Sequence, residues 1–378
     1  MNLNLTAEQE MLKKSYRDFL AKECEKSLVR EMYEEERGYS VALWDKMAGL
    51  GWMGLPFPEK YGGQDGSFLD LAVLLEEMGR ACLPSPFFST VVEGGLTCLE
   101  SGSEFQKQEL LPKISQGKLV VTMALTEQNV GYSPASITMR ALQKGNEFVI
   151  NGTKLFVRNA HVADYLICVA RTEDSSRNDK EGITLFWLDT KSSGIRLTLL
   201  DTFVGDKQFE VEFDRVRVTQ ENVLGELGRG WKYLTKILQK AAIAKCAEIL
   251  GALQQILEMT VNYAKQRIQF NQPIGSFQAI QHHCANMMVY VDSSKLITYQ
   301  AAWLLSEGIP STKEVAMAKT WVGDTCELVI NLAHQVIGGI SIIDDHDLPL
   351  YTRQILEWSE IFGNSDFHRE IIANELGL

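Results

Sequence analysis

The 378-residue chain is short of basic charge: 37 Lys and Arg stand against 49 Asp and Glu, a net −12. A phosphate backbone demands a basic surface, so nucleic acid is excluded as a partner, and any polyanionic ligand must be met by a local cluster of cations. Long apolar runs are missing too. None approaches the length of a membrane span, and the opening MNLNLTAEQEMLKKSYRDFL reads as an amphipathic helix without a signal-peptide core. Cys24, Cys82, Cys98, Cys168, Cys246, Cys284 and Cys326 are scattered with no CxxC spacing. That argues against a disulfide framework and fits reduced thiols in a cytoplasmic protein. His282 and His283 are adjacent and so point to different helix faces, which gives no metal set. No internal repeat is evident. What is present is a hydrophobic content of 45% and a charged content of 23%. These describe a soluble globular protein with enough chain for two or three domains.

The hydrophobic period divides the chain into three stretches, an α+β organisation. Residues 1–118 are helical in pattern: Thr6 followed by Glu8 and Gln9 starts a first helix, and apolar residues recur at helical spacing over 43–50 before Gly51. Over 119–228 the period falls to two. Strands are expected at 119–125, 147–150, 165–170, 184–188, 195–199 and 210–213, with Asn151-Gly152 as a hairpin signal. Several short strands without intervening helices suggest a small barrel or sandwich. Residues 229–378 return to long helices at 231–266, 277–307, 312–338 and 350–362, a pattern that suggests a four-helix bundle.

The most informative stretch is Tyr263 to Met287, YAKQRIQFNQPIGSFQAIQHHCANM. A helix is expected to stop at Asn271-Gln272-Pro273, with a second starting near Phe277. Arg267 and Phe270, three apart, would share one helix face. A guanidinium beside an aromatic edge suits a pyrophosphate, because Arg presents a planar fork of donors. Together with Gln278 the string resembles the Arg-x-x-Phe-Gly…Phe-Gln signature of the acyl-CoA dehydrogenase family. The loop Leu55-Pro-Phe-Pro-Glu-Lys-Tyr-Gly-Gly63 and the exit Val223-Leu-Gly-Glu-Leu-Gly-Arg-Gly-Trp231 are similar to that family's as well. The resemblance covers essentially the full chain. It implies a helical N-terminal domain (1–118), a flavin-facing β-domain (119–228) and a C-terminal bundle (229–378). It further implies FAD shared across a subunit interface, an acyl-CoA substrate, an electron-transfer flavoprotein or similar acceptor, and a homo- or hetero-tetramer without membrane insertion.

Carried over by resemblance, Leu125 and Thr126 would lie against the isoalloxazine, with Gly131 closing their motif. Tyr132-Ser133 replaces the family's Ser-Asp after this Gly. Asn151-Gly-Thr-Lys-Leu-Phe-Val-Arg-Asn159 is similar to a stretch whose Trp stacks near the flavin and whose Thr faces its N5 atom. Phe156 and Arg158 hold those places here. Phe can still pack on a ring, whereas Arg brings a positive charge that would favour the reduced, anionic flavin; alternatively Arg158 points to solvent. On the partner side, Arg267, Phe270 and Gln278 match residues gripping the pyrophosphate and adenosine. Gln335 with Gly338 and Gly339 matches the turn approached by the adenine half, where absent side chains leave room.

Desaturation of an acyl thioester needs a carboxylate to remove the α proton while the flavin accepts a hydride. The resemblance places that carboxylate nine positions after Arg353, where this chain has Phe362, or on an earlier helix at Ala241 or Ala242. Neither residue type can take a proton. Glu248, two helical turns or roughly 10 Å beyond Ala241, is one replacement candidate; Glu357, Glu360, Asp345 and His346 are others. The backbone N–H of Phe362 could still polarise a thioester carbonyl. Four readings follow. The chain is a base-lacking subunit of a heteromeric acyl-CoA dehydrogenase, which the C-terminal pattern resembles, or a stand-alone dehydrogenase with a relocated base. It is otherwise a FAD-containing acyl-CoA lyase such as a desulfinase, or a non-catalytic structural subunit.

Overall fold

The computed structural model describes residues 5–129, 131–173 and 179–378. Six α-helices come first: α1 (Ala7–Glu23), α2 (Lys26–Glu34), α3 (Val41–Gly49), α4 (Phe68–Ala81), α5 (Leu96–Ser101) and α6 (Glu104–Ser115), with a π-helical turn at Phe88–Gly95. Thr6 caps α1, and Gln9 returns the bond to the Thr6 N–H, a reciprocal box that satisfies two orphan donors. Ser103 and Gln106 do the same for α6.

Strands follow: β1 (Val121–Ala124), β2 (Arg140–Lys144), β3 (Glu147–Arg158), β4 (Tyr165–Arg171), β5 (Ile183–Asp189), β6 (Ile195–Leu200), β7 (Gln208–Thr219) and β8 (Val223–Leu224). They form one eight-stranded sheet in the order β6-β7-β3-β2-β4-β5-β8, with β1 parallel on β4. The Asn151-Gly152 hairpin expectation fails. That dipeptide lies inside the 12-residue β3, where the register with β7 shifts between Ile150 and Gly152. It is a bulge, and the hairpin falls earlier, at Gly145 and Asn146 between β2 and β3. Gly152 has φ +142, and an added Cβ would stand 2.5 Å from Met139 Cγ. A bulge therefore needs this glycine as firmly as a turn would. Phe148, Phe186, Phe213 and Val211 pack the core of the sheet.

The closing part holds α7 (Gly230–Gln266), a two-stranded hairpin β9 (Ile268–Gln269) and β10 (Gln272–Pro273), then α8 (Gln278–Ser306), α9 (Thr312–Ile337), α10 (Leu348–Glu360) and α11 (Ser365–Glu375). Helix α9, counted with the 3₁₀ turn that follows it (Thr312–Ile342), is long and apolar enough by length and composition to cross a membrane. That amends the expectation that no run comes near this length. The helix nonetheless buries Lys319 and Thr325 along with its Val and Ile face and packs on α8, α10 and α11.

Compactness cuts the chain differently from secondary-structure type. One unit comprises Met1–Val29, Phe68–Leu83 and Ala242–Leu378; the other comprises Arg30–Ser67 and Pro84–Ala241. In the first, Glu76 of α4 is fully buried and takes hydrogen bonds from Lys13 of α1, Tyr299 of α8 and, at 2.7 Å, Gln254 of α7. A carboxylate so buried is stable only with its charge paired and its lone pairs filled. The network therefore ties four helices at one point.

Candidate functional site

Within the sheet-bearing unit the segment carrying Leu125 and Thr126 runs beside the strand that carries Phe156 and Arg158. The Leu155 N–H donates to the Thr126 carbonyl at 2.8 Å, joining the exit of β1 to β3. Leu125 is buried, Thr126 and Gly131 are half-buried, and Phe156 is 48% exposed with φ +57. A left-handed aromatic residue is uncommon, and here it turns the ring outward from a strand. Val130 of the same motif lies outside the described residues. Arg158 does not simply point to solvent: its Nε lies 3.6 Å from Asp206 Oδ2, and its side chain is 19% exposed. Asp206 is itself held by the Thr202 hydroxyl and the Gln208 amide, both at 2.8 Å.

Behind this face lies a pair that the sequence reading missed. Lys154, fully buried, donates to the Leu125 carbonyl at 2.9 Å and to Glu127 Oε1 at 2.7 Å. Glu127 also accepts the Thr138 hydroxyl and the N–H groups of Thr138 and Met139 at 3.0 to 3.1 Å. Burial opposes ionisation of Glu127, but the Lys154 ammonium and these donors outweigh it, so its carboxyl titrates below the usual range. No alternation announced it, because Phe148, Val149 and Ile150 are all buried and the bulge before Lys154 breaks the period. A polar cleft of about 490 Å³ opens beside the pair, lined by Glu127, Gln128, Thr138, Thr153, Leu155 and Glu210.

The helical unit carries the other set. Arg267 and Phe270 are not on a helix, as was expected: α7 ends at Gln266 and the chain enters the β9–β10 hairpin. Phe270 and Asn271 take φ +51 and +64 at its tip, and the Arg267 carbonyl accepts the Ile274 N–H at 2.8 Å. The two side chains are set by a strand pair rather than by helical spacing. Phe270 is 85% exposed and meets Phe277 edge-on, 6.0 Å between centroids. Arg267 is exposed and forms no ion pair among the described residues. Gln278 opens α8, and Gln335 lies in the last turn of α9; both are exposed. Gly338 and Gly339 are exposed, and a Cβ at either would meet nothing within 4 Å.

The positions expected to hold a base are apolar. Phe362 is buried with φ +61, and Ala241 and Ala242 are buried. Glu248 is buried and bonded to Lys245, whose ammonium lies 5.1 Å from the centre of the Trp358 ring. Its backbone also abuts Gly79 so closely that a Cβ there would fall 1.9 Å from the Glu248 carbonyl oxygen. The Glu248 carboxylate is thus engaged by a buried ammonium. His346 accepts the Leu348 N–H at 3.1 Å, Asp345 and Glu360 are exposed, and Glu357 is half-buried.

Three family profiles match in chain order: acyl-CoA dehydrogenase N-terminal domain at residues 6–118, middle domain at 122–216 and C-terminal domain at 228–377. The order helix, sheet, helix fits that division. The chain belongs to the acyl-CoA dehydrogenase family. It is 32% identical to the probable acyl-CoA dehydrogenase YngJ of Bacillus subtilis over the whole of both chains. It is 30% identical to the acryloyl-CoA reductase (NADH) of Anaerotignum propionicum, covering 100% of this chain and 96% of that one. Its fold is similar to a chain in the crystal structure of the ChsE4–ChsE5 complex from Mycobacterium tuberculosis, with TM-score 0.90, 25% identity and coverage of 100% and 99%.

Proposed function

We propose that this chain is a FAD-binding subunit of a heteromeric enzyme that interconverts an acyl-CoA thioester and its α,β-unsaturated form. A second, related chain supplies the carboxylate. One contrast carries the reading: the dinucleotide-facing groups lie open while every customary base position is apolar. Arg267, exposed and in no ion pair among the described residues, suits a pyrophosphate. Phe270 and Gln278 suit an adenosine, and the Gly338-Gly339 backbone suits close approach of a flat ring. Leu125, Thr126, Phe156 and Arg158 offer a face with one aromatic ring and one guanidinium. These residues fit FAD, which when bound supplies hydride transfer.

On this reading Phe156 positions the ring system, and Lys154 with Glu127 keeps the Leu125-Thr126 backbone from shifting. Phe362 excludes water where a proton acceptor would otherwise sit. A neighbouring copy or partner chain would meet the Arg267 face, and an acceptor such as an electron-transfer flavoprotein would take the electrons.

The test is a visible spectrum of the purified chain, alone and co-expressed with the related chain from its own genomic neighbourhood. Flavin loading and acyl-CoA-dependent dye reduction that need both chains are expected. Full turnover by the chain alone would replace this reading with a relocated base. Release of an acyl leaving group without any electron acceptor would replace it with a lyase.

A further inference from the structure

Two hydroxyls face the two nitrogens of a single imidazole in the last turn of α9. His334 Nδ1 lies 2.8 Å from Ser341 Oγ, and its Nε2 lies 3.0 Å from Thr352 Oγ1. Each hydroxyl owns one hydrogen. Ser341 donates its hydrogen to the Gly338 carbonyl at 2.7 Å, and Thr352 donates its own to the Leu348 carbonyl at 3.0 Å. With both hydrogens directed at backbone, both hydroxyls can meet the ring only as acceptors. A neutral imidazole has one N–H and satisfies one of them; an imidazolium has two and satisfies both. In the neutral state one hydroxyl must swing its hydrogen onto the ring and release its carbonyl.

One of those carbonyls belongs to Gly338, which has φ +75 and ψ −155. Backbone in that region is essentially confined to glycine and persists only where its surroundings hold it. His334 holds it from two directions. Its own carbonyl accepts the Gly338 N–H, and its ring orients Ser341, which is buried and grips the Gly338 oxygen. Through Thr352 the same ring ties this turn to α10.

We propose that His334 is the positioning residue of the Gly338–Ile342 turn: its ring, held between Ser341 and Thr352, keeps the Ser341 hydroxyl on the Gly338 carbonyl and so shapes the adenine-side surface. The ligand rests on the dinucleotide reading above; the pinning does not. Burial, and after it the neighbouring His346, hold the His334 pKa below 6.5, so the ring is neutral above pH 7. In that state the Nδ1–H tautomer donates to Ser341, whose own hydrogen stays on the Gly338 carbonyl, while Thr352 turns its hydrogen onto Nε2.

Hydrogen–deuterium exchange of the full chain at neutral pH reads the turn directly. The amides of Gly339, Ile340, Ser341 and Ile342 are expected to exchange about tenfold faster in H334F than in wild type, the worth of one net hydrogen bond. S341A, a smaller change that leaves the His334–Thr352 tie, speeds them likewise and serves where H334F does not fold. Nitrogen NMR of the His334 ring should show the Nδ1–H tautomer in wild type and lose that preference in S341A. FAD and ADP affinities are measured on the same samples and should fall where exchange quickens. Wild type and variants that exchange alike would overturn the positioning role even where flavin binds. A pinned turn in a protein that takes neither FAD nor ADP would overturn the dinucleotide reading and leave the positioning role standing.

Discussion

His368 Nε2 lies 3.0 Å from the carbonyl oxygen of Phe362. A carbonyl only accepts, so the proton is on Nε2, and Nδ1 is a bare, buried lone pair with no partner among the described residues. Together with Lys319, which donates to the Ser359 carbonyl, this bond fixes the backbone on both sides of the residue standing where a base is expected. Phe362 and Gly363 both take left-handed φ values there, +61 and +96.

Burial drives the His368 pKa down to about 4 from 6.5. Between those values the unfolded chain binds the extra proton and the folded chain does not. The stabilisation is therefore present above pH 6.5 and is lost as pH falls toward 4, amounting to about 3 kcal/mol. His161 and His334, also held down chiefly by burial, add to the same slope. Urea unfolding at pH 7 and pH 4.5 should show the loss. H368Q, which keeps a neutral donor for Phe362, should flatten the acid side of the profile; an unchanged slope would remove His368 as its origin.

The Lys154–Glu127 pair gives a second prediction. Removing one partner of a buried ion pair strands the other, at a cost of about 3–5 kcal/mol. K154M should therefore be strongly destabilised, E127Q less so because an amide still accepts from Thr138 and Met139. The double variant should fall short of the sum of the two. Additive losses in a double-mutant cycle would mean that the residues act independently.

Several parts of this architecture are legible in the sequence and others are not. Thr6 and Gln9 announced the first helix because a cap is local chemistry, and the long helices α7 to α10 declared themselves by period. Asn151-Gly152 was misread because a bulge and a turn ask the same thing of a glycine, and only the partner strand β7 distinguishes them. Arg267 and Phe270 were placed on a helix because the first breakers in the sequence are Asn271, Gln272 and Pro273; α7 ends earlier, at Gln266, and Phe270 and Asn271 form the left-handed tip of a hairpin. The pairing of Arg158 with Asp206 spans β3 and the loop before β7, so no local pattern encodes it.

That pairing sets a third expectation. If Arg158 faces the flavin as proposed, its charge favours the reduced, anionic ring, and Asp206 offsets part of that charge at 3.6 Å. D206N should raise the midpoint potential of bound flavin and R158T should lower it, as measured against reference dyes. Equal potentials in wild type and both variants would place the guanidinium away from the ring.

If residue 362 stands where a base is expected, a carboxylate placed there should abstract the α proton. Phe362 is 6% exposed, with its carbonyl pinned by His368, so a substituted side chain inherits the same fixed backbone. In F362E the carboxyl enters an apolar setting that raises its pKa, which strengthens it as a base once ionised. With the co-purified enzyme, F362E should speed washout of α-deuterium from a saturated acyl-CoA in water by at least about tenfold, following general-base magnitudes. F362Q, similar in size and unable to take a proton, should not. Equal washout in the two variants, despite thioester binding by both, would show that residue 362 does not border the α carbon. The proton acceptor of this chain would then have to be sought away from the turn that follows α10.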